Sequence, residues 1–246
     1  DKHYPQLRVP FVAPSAAAPG RPKQGGAPSG GSEPPEAGSV GAPYCVLLEN
    51  SDHEGEAHAR GLFEHLLEVA FEAGCVSDAV VAESLAQAKG LWHIRESIPL
   101  AQAEEGLNIK HDISIPVSRI PAFVEETDAL LAREIPGVRL VDFGHLGDGN
   151  LHYNVQAPEH GDAKAFLRDE EDRINTLVFD AVARHEGSIS AEHGIGSLKA
   201  AKLPHYKSAV ALGLMRRLKQ ALDPQGVMNP GRVLAAETTA IGSQPL

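Results

Sequence analysis

Apolar residues recur at intervals of three and four positions in several parts of the chain, which is the spacing of one helix face. The clearest stripe lies near the middle of the second half and consists of Ile174, Leu177, Val178, Ala181 and Val182. The pattern predicts helices over 54–73, 84–97, 119–134, 163–186 and 207–222. Pro99 is expected to break the second of these helices, because a helix interior needs the amide hydrogen that proline lacks.

Other segments alternate between apolar and polar residues, as strands with one buried face do. Asp148 and Gly149 predict a two-residue hairpin turn, because both tolerate positive φ. A tight hairpin requires antiparallel pairing, so we expect an α+β fold with a partly antiparallel sheet covered by helices. Strands are predicted over 108–116, 138–146 and 150–156, with shorter β-like runs at 44–50 and 78–82.

The first part of the chain differs in composition from the rest. Residues 13–43 are dominated by Ala, Pro, Gly and Ser, and such a segment buries too little apolar surface to offset its ordering entropy. We therefore predict a short extended remnant over 1–12, a disordered insert over 13–43, one folded domain over 44–234 and a tail over 235–246.

The charge and the cysteine content limit the classes of partner. Acidic residues outnumber basic ones by 33 to 22, which gives a net charge of −11 and no basic cluster. This argues against nucleic acid and against an anionic membrane surface as partners. No apolar run approaches the roughly 20 residues of a membrane span. Two unclustered cysteines, Cys45 and Cys75, suit a reducing compartment, either the bacterial cytoplasm or the mitochondrial matrix.

The predicted hairpin carries two histidines that are symmetric about its turn. With a two-residue loop, His145 faces His152 directly, and opposed side chains on one face lie roughly 5 Å apart at Cβ. Two imidazoles at that spacing can bind one metal ion. Period-two geometry puts Asn150 and Asn154 on the same face as His152. The alternative is that each histidine only caps a strand or donates to a carbonyl group.

A second polar segment follows the long helix, over Ser188–Gly196. Glu192 offers a third metal ligand, and a His-His-Glu set with open positions is typical of catalytic rather than structural sites. His193 would then be free to act as a general base. Taken alone, the segment favours the alternative, a solvated Glu-His pair at a helix entry.

Two cations upstream of the hairpin are candidates for binding a carboxylate. Arg95 lies in a predicted helix and Lys110 in a predicted strand. Arginine binds a carboxylate through its planar fork and lysine as a point charge. The alternative is that both are ordinary surface charges.

Five segments together resemble one family in both sequence and order: LWHIRES (91–97), IKHDISIP (109–116), HLGDGNLHYN (145–154), SAEHGIG (190–196) and LDPQGVMNPGRVL (222–234). They look like the C-terminal half of the FAD-linked oxidases related to vanillyl-alcohol oxidase. Within these, the D-2-hydroxyglutarate, D-lactate and glycolate dehydrogenases are the most similar. The resemblance implies a ferredoxin-like cap domain that binds substrate and metal.

The resemblance also implies roles for individual residues. A divalent metal, usually zinc, would be bound by His145, His152 and Glu192. His193 would be the catalytic base and a substrate contact. The resemblance also implies that Asn154, Arg95 and Lys110 contact the substrate. It implies a contact between Asn229 and the flavin.

One position departs from the hydroxyglutarate-type pattern. Those members place a threonine four residues after the arginine, where this chain has Pro99. This weakens the assignment to hydroxyglutarate, whereas Lys110 still favours a dicarboxylic hydroxyacid. D-lactate and glycolate are the alternatives within the family.

The implied enzyme has a second half. An FAD-binding domain is expected before this segment and is missing from the chain, so we expect a fragment, a split-gene product or an inactive copy. The partners would be a small D-2-hydroxyacid, an FAD-binding domain in cis or in trans, and an electron acceptor that the sequence does not identify. The sequence leaves the oligomeric state open, with a homodimer as one option. The rival functions are a stand-alone metal-dependent hydrolase and a non-catalytic module that binds metal and oxoacid.

Overall fold

The computed structural model describes residues 44–235, which form two compact units. The first unit ends at Glu105 and the second begins at Gly106. The predicted remnant, the predicted insert and nearly all of the predicted tail lie outside the described residues. The described part of the first unit, residues 44–105, contains three helices: α1 (Glu56–Glu72), α2 (Leu85–Glu96) and α3 (Ile98–Glu105).

Two strand predictions in the first unit are wrong. Neither 44–50 nor 78–82 forms a strand, and both runs expose apolar side chains such as Val46 (70%) and Val80 (51%). A strand is stable when its backbone groups are paired and one face is packed. Neither run pairs with a neighbouring strand in the described part of the chain, so neither forms a strand despite its β-type composition.

The prediction for Pro99 is half correct. Helix α2 does end before it, at Glu96, but a further helix that the sequence reading missed begins at once. Pro99 is the second residue of α3. The backbone N–H groups in the first turn of a helix have no acceptor within the helix, so proline, which lacks this group, is tolerated there. Pro99 can therefore lie in the first turn of α3 although it ends α2.

The second unit is built on a three-stranded antiparallel sheet with the order β1-β3-β2. Its strands are β1 (Asn108–Ser114), β2 (Arg139–His145) and β3 (Asn150–Gln156), and its helices are α4 (Ile120–Glu134), α5 (Ala163–Arg184), α6 (Leu203–Tyr206) and α7 (Ala209–Leu222). The expectation of an α+β fold with an antiparallel sheet is confirmed. None of the described helices is both long enough and apolar enough to cross a membrane.

One face of the sheet packs against α4 and α5. Alternate residues of β3 point into this core, and Tyr153 and Val155 are completely buried. Phe123 of α4 and Ile174 of α5 are equally buried against them. Helix α5 begins where the Asp162 carboxylate accepts hydrogen bonds from two backbone N–H groups of the first turn. The opposite face of the sheet is left for polar side chains.

The predicted hairpin register is wrong by two residues. The loop has four residues rather than two: Leu146–Asp148 form a 3₁₀ turn, and Gly149 adopts a left-handed conformation with φ 77°. His145 therefore pairs with Asn150, and His152 pairs with Phe143. Because side chains alternate with a period of two, a shift of two residues keeps both histidines on the same face.

Candidate active site

The polar face of the sheet is formed by alternate residues of β1 and β3. The register places Lys110 opposite Asn154 and Asp112 opposite His152. These are the positions that the alternation of NIKHDISIP and NLHYN assigns to the face away from the core. Lys110 is exposed, whereas Asn154 is buried at 4% exposure.

Glu192 lies between the two hairpin histidines. Its Oε1 is 3.4 Å from His145 Nδ1, and its Oε2 is 3.8 Å from His152 Nε2. The side chain of His145 is 55% exposed, that of Glu192 47% and that of His152 19%. The fold thus brings together three residues that are separated by up to 47 positions along the sequence.

Each histidine lies close to one Glu192 oxygen, but within residues 44–235 these three residues do not form a group whose ligand atoms all lie within 4.8 Å of one another. Bonds of about 2.0–2.1 Å to a tetrahedral zinc ion put neighbouring ligand atoms about 3.3 Å apart. Two imidazole nitrogens and a carboxylate are a donor set that zinc accepts. Among residues 44–235, the group whose ligand atoms do all lie within 4.8 Å of one another is Asp112, Glu192 and His193.

His193 lies beside His152, with 6.0 Å between the ring centroids, and is exposed. Its backbone N–H donates to the Asp112 carboxylate at 3.0 Å, as do those of Ala191 at 3.1 Å and Glu192 at 3.3 Å. Burial by itself would raise the pKa of the Asp112 carboxyl, but these three donors together hold that pKa below its ordinary value. Asp112 is therefore a carboxylate at neutral pH.

Lys199 binds the same region from the other side. Its Nζ donates to the carbonyl oxygens of Ile189 at 2.6 Å and Asp112 at 3.2 Å. Partial burial lowers the pKa of this amine, which the negative charge of Asp112 opposes. The loop between α5 and α6 is thus attached to β1 by an anionic and a cationic side chain.

The predicted contacts of Arg95 and Asn229 stay predictions. Arg95 lies in the last turn of α2, in the first unit, so its predicted partnership with Lys110 stays a prediction. Asn229 lies after α7, is exposed and has a positive φ of 47°. Its predicted contact with a flavin also stays a prediction.

The sequence reading missed Asp112 and Lys199. Asp112 could have been found from the sequence, because strand alternation places it on the same face as Lys110, two residues later. Nothing in the sequence indicates that Lys199 belongs to the site, since a lysine that follows a glycine-rich segment is usually a surface charge. Asn150 was placed on the correct face, where it is 3% exposed and its side-chain amide has no hydrogen-bond partner within residues 44–235.

Comparison with known proteins identifies the family. Residues 28–233 match the model of the FAD linked oxidases, C-terminal domain. The chain belongs to this family. The resemblance drawn from the five sequence segments is thereby confirmed, and the histidine hairpin and the Glu192 loop both lie within the matched region.

Relatives of this FAD-linked oxidase C-terminal domain are D-2-hydroxyglutarate dehydrogenases. The protein of that name from Stutzerimonas stutzeri (strain A1501) is 38% identical over 196 residues, covering 79% of this chain and 41% of its own length. The Xanthomonas citri pv. viticola protein is 42% identical over 193 residues, covering 78% and 40%. The mitochondrial protein of Arabidopsis thaliana is 38% identical over 191 residues, covering 78% and 32%. The chain thus spans less than half the length of these relatives.

Proposed function

We propose that this chain is the substrate- and metal-binding part of an FAD-dependent dehydrogenase. The reaction is oxidation of a D-2-hydroxyacid, with a 2-hydroxyglutarate-like acid favoured, to the 2-oxoacid. The observation that carries the proposal is the position of the Glu192 carboxylate between His145 and His152 on the polar face. The names of the relatives support the substrate.

The proposal includes a second part of the enzyme. The aligned region covers at most 41% of the three relatives, so a flavin-binding domain is proposed, in the same polypeptide or in a separate one. The electron acceptor stays open. The proposed compartment is the bacterial cytoplasm or the mitochondrial matrix, which bacterial and mitochondrial relatives support.

Two side chains of the polar face and one of the adjacent loop have proposed roles toward the substrate. A ring nitrogen of His193 accepts the proton of the 2-hydroxyl group, as a general base does. The Lys110 amine binds the distal carboxylate of a dicarboxylic acid. The Asn154 amide hydrogen-bonds a substrate oxygen and, being buried, holds it in one orientation.

The proposed cofactors are a divalent metal, zinc in the first instance, and FAD. When bound by His145, His152 and Glu192, the metal would supply Lewis acidity toward the hydroxyl and carboxylate oxygens, while FAD would supply the hydride acceptor. Arg95 as a second carboxylate ligand and Asn229 as a flavin contact belong to the proposal on the resemblance alone.

The test of the metal site is the zinc content of the purified full chain and its variants. We expect about one zinc per chain, and loss of that zinc in His152→Ala and Glu192→Gln, because each removes a ligand. His160→Ala is the matched control, since His160 is exposed and lies in the loop before α5. Zinc retained in all three variants, or absent from the wild type, would contradict the proposed site.

The substrate class is tested through Lys110. In Lys110→Met we expect zinc-loaded protein to bind D-2-hydroxyglutarate on the order of tenfold more weakly, because a hydrogen bond between charged groups contributes roughly 1.5–3 kcal/mol. Binding of D-lactate, which has no second carboxylate, is expected to be unchanged. Isothermal titration of both acids measures the difference, with Lys164→Met as the control at an exposed lysine of α5. Equal weakening for both acids would contradict the assigned role.

A further inference from the structure

Asp112 is the only residue of β1 whose carboxylate reaches the loop that carries Glu192 and His193. Its Oδ2 accepts the N–H groups of Ala191 and His193, and its Oδ1 accepts that of Glu192. Asp112 is 5% exposed, whereas the hydrogen bonds to the loop amides are partly buried. Three consecutive backbone amides thus converge on one buried carboxylate, across 79 to 81 positions of sequence.

The position of Asp112 on the sheet determines where that loop lies. Asp112 pairs directly with His152 in the register of β1 and β3. A loop bound to Asp112 must therefore lie beside His152. This agrees with the 3.8 Å between His152 Nε2 and Glu192 Oε2, and with the 6.0 Å between the rings of His152 and His193.

After residues 191–193 the loop is held by Ile195, which packs against the core, and by the Gly196 carbonyl, which accepts the Val233 N–H at 2.7 Å. Gly194 and Gly196 both have positive φ, at 73° and 56°, and no other described atom lies within 4 Å of where a Cβ would stand at either position. Two open glycines directly after His193 give the backbone many alternative conformations. Lys199 Nζ joins the Ile189 carbonyl before this segment to the Asp112 carbonyl of β1, so the region is bound to β1 through Lys199 and at residues 191–193.

Asp112 is also near enough to Glu192 and His193 to be considered a metal ligand with them. The hydrogen bonds argue for a different role. A carboxylate offers about four lone-pair positions, and three of those of Asp112 are taken by backbone N–H groups. The Asp112 carboxylate therefore binds the loop backbone and is not needed as a metal ligand.

We propose that Asp112 is a positioning residue that acts through Glu192 and His193. Its carboxylate fixes the backbone of residues 191–193 so that the Glu192 carboxylate is presented between His145 and His152, with the His193 ring beside it. The link to metal binding rests on the proposed function, whereas the anchoring of the loop does not. Two measurements separate them.

The first measurement is amide hydrogen exchange along the full chain. In Asp112→Ala we expect exchange at residues 191–193 to be at least tenfold faster, with exchange in β3 unchanged. Asp112→Asn is the second variant, because it keeps the shape and loses the charge. Asp162→Ala is the matched control: its carboxylate accepts the N–H groups of Lys164 and Ala165, so exchange should quicken there and not at 191–193. Unchanged exchange at 191–193 in both Asp112 variants would overturn the anchoring.

The second measurement uses Co²⁺ as a spectroscopic probe of the same proteins. Removing a residue that orients a metal ligand typically weakens metal affinity 10- to 100-fold. We expect that loss in Asp112→Asn, with a changed visible spectrum for any residual complex, and wild-type behaviour in Asp162→Ala. The same affinity and spectrum in Asp112→Asn would overturn the positioning role. If the wild-type chain binds no Co²⁺, the proposed metal site fails, and hydrogen exchange alone then decides the anchoring.

Discussion

At the scale of single residues, a histidine in the core illustrates how burial determines charge. His111 is 0% exposed on the core face of β1, and its Nδ1 donates to the Tyr153 carbonyl oxygen at 2.8 Å. Burial lowers the pKa of His111 to about 4, although the Tyr153 carbonyl and the Asn175 side chain favour the protonated form. The folded chain therefore keeps His111 neutral well below the pH at which an unfolded chain protonates it.

This difference predicts a pH dependence of stability. Between about pH 6.5 and pH 4 the unfolded chain binds a proton at His111 that the folded chain does not, so the free energy of unfolding falls as the pH falls. The loss approaches about 1.4 kcal/mol per pH unit, and above this window His111 contributes no slope. Urea unfolding across pH 4–8 should show a shallower slope for His111→Gln than for the wild type. Identical slopes would contradict a buried neutral histidine.

At the scale of elements, the loop between β2 and β3 decides how the site is assembled. Gly149 has φ 77°, and a Cβ there would lie 2.1 Å from the Ile115 carbonyl oxygen. In return, the Ile115 N–H donates to the Gly149 carbonyl at 2.9 Å. This contact with the chain after β1 accompanies a four-residue loop in place of the predicted two-residue turn. The four-residue loop places His145 opposite Asn150 of β3.

The loop offers a matched pair of glycines for a test. Gly149→Ala is expected to lower the free energy of unfolding by about 1–3 kcal/mol, because the new methyl group meets backbone and the conformation is strained. Gly147→Ala lies in the same loop with nothing within 4 Å of the new Cβ, so we expect almost no change. Chemical denaturation measures both variants. Equal effects would show that the Ile115 contact does not set the loop.

Helix α7 shows what a periodic pattern leaves undecided. The spacing of its apolar residues correctly predicts a helix, and Leu212 is buried at 6% exposure. The stripe on which the prediction rested is nevertheless exposed: Val210 74%, Leu214 55%, Leu218 64% and Leu222 78%. An amphipathic pattern specifies that a helix has an apolar face, and it does not specify what covers that face.

At the scale of the whole chain, metal binding and folding are expected to be linked. A ligand that binds only the folded state stabilises it by about 2.7 kcal/mol at one hundred times its Kd. For a chain of this length, that corresponds to an increase in Tm of roughly 5–10 °C. We expect zinc to raise the Tm of the wild type and of His160→Ala, and chelation to reverse the shift.

His152→Ala should show no such increase, because it lacks one of the three proposed ligands. Differential scanning calorimetry with and without zinc makes the comparison. An equal shift in His152→Ala would indicate that zinc binds elsewhere on the chain.

The sequence by itself determined the three strands and the three longer helices of the second unit, and the faces of its strands, but not the short helix α6. Helical and strand periodicities are local, so the stripe of α5 and the alternation in β1 and β3 could be recognised from neighbouring residues. The assignment of His145, His152 and Asn154 to one face survived a register error, because the error was an even number of residues. The family could be recognised from the order of its motifs.

Only the tertiary structure decided the features that depend on distant contacts. The hairpin loop has four residues and is bonded to Ile115, and the Glu192 loop is bonded to Asp112 and Lys199. The β-like runs at 44–50 and 78–82 formed no strands, because pairing needs a partner that their own residues do not supply. A local pattern indicates which element a segment can form. A contact between residues about 80 positions apart forms only when the complete fold brings the two segments together.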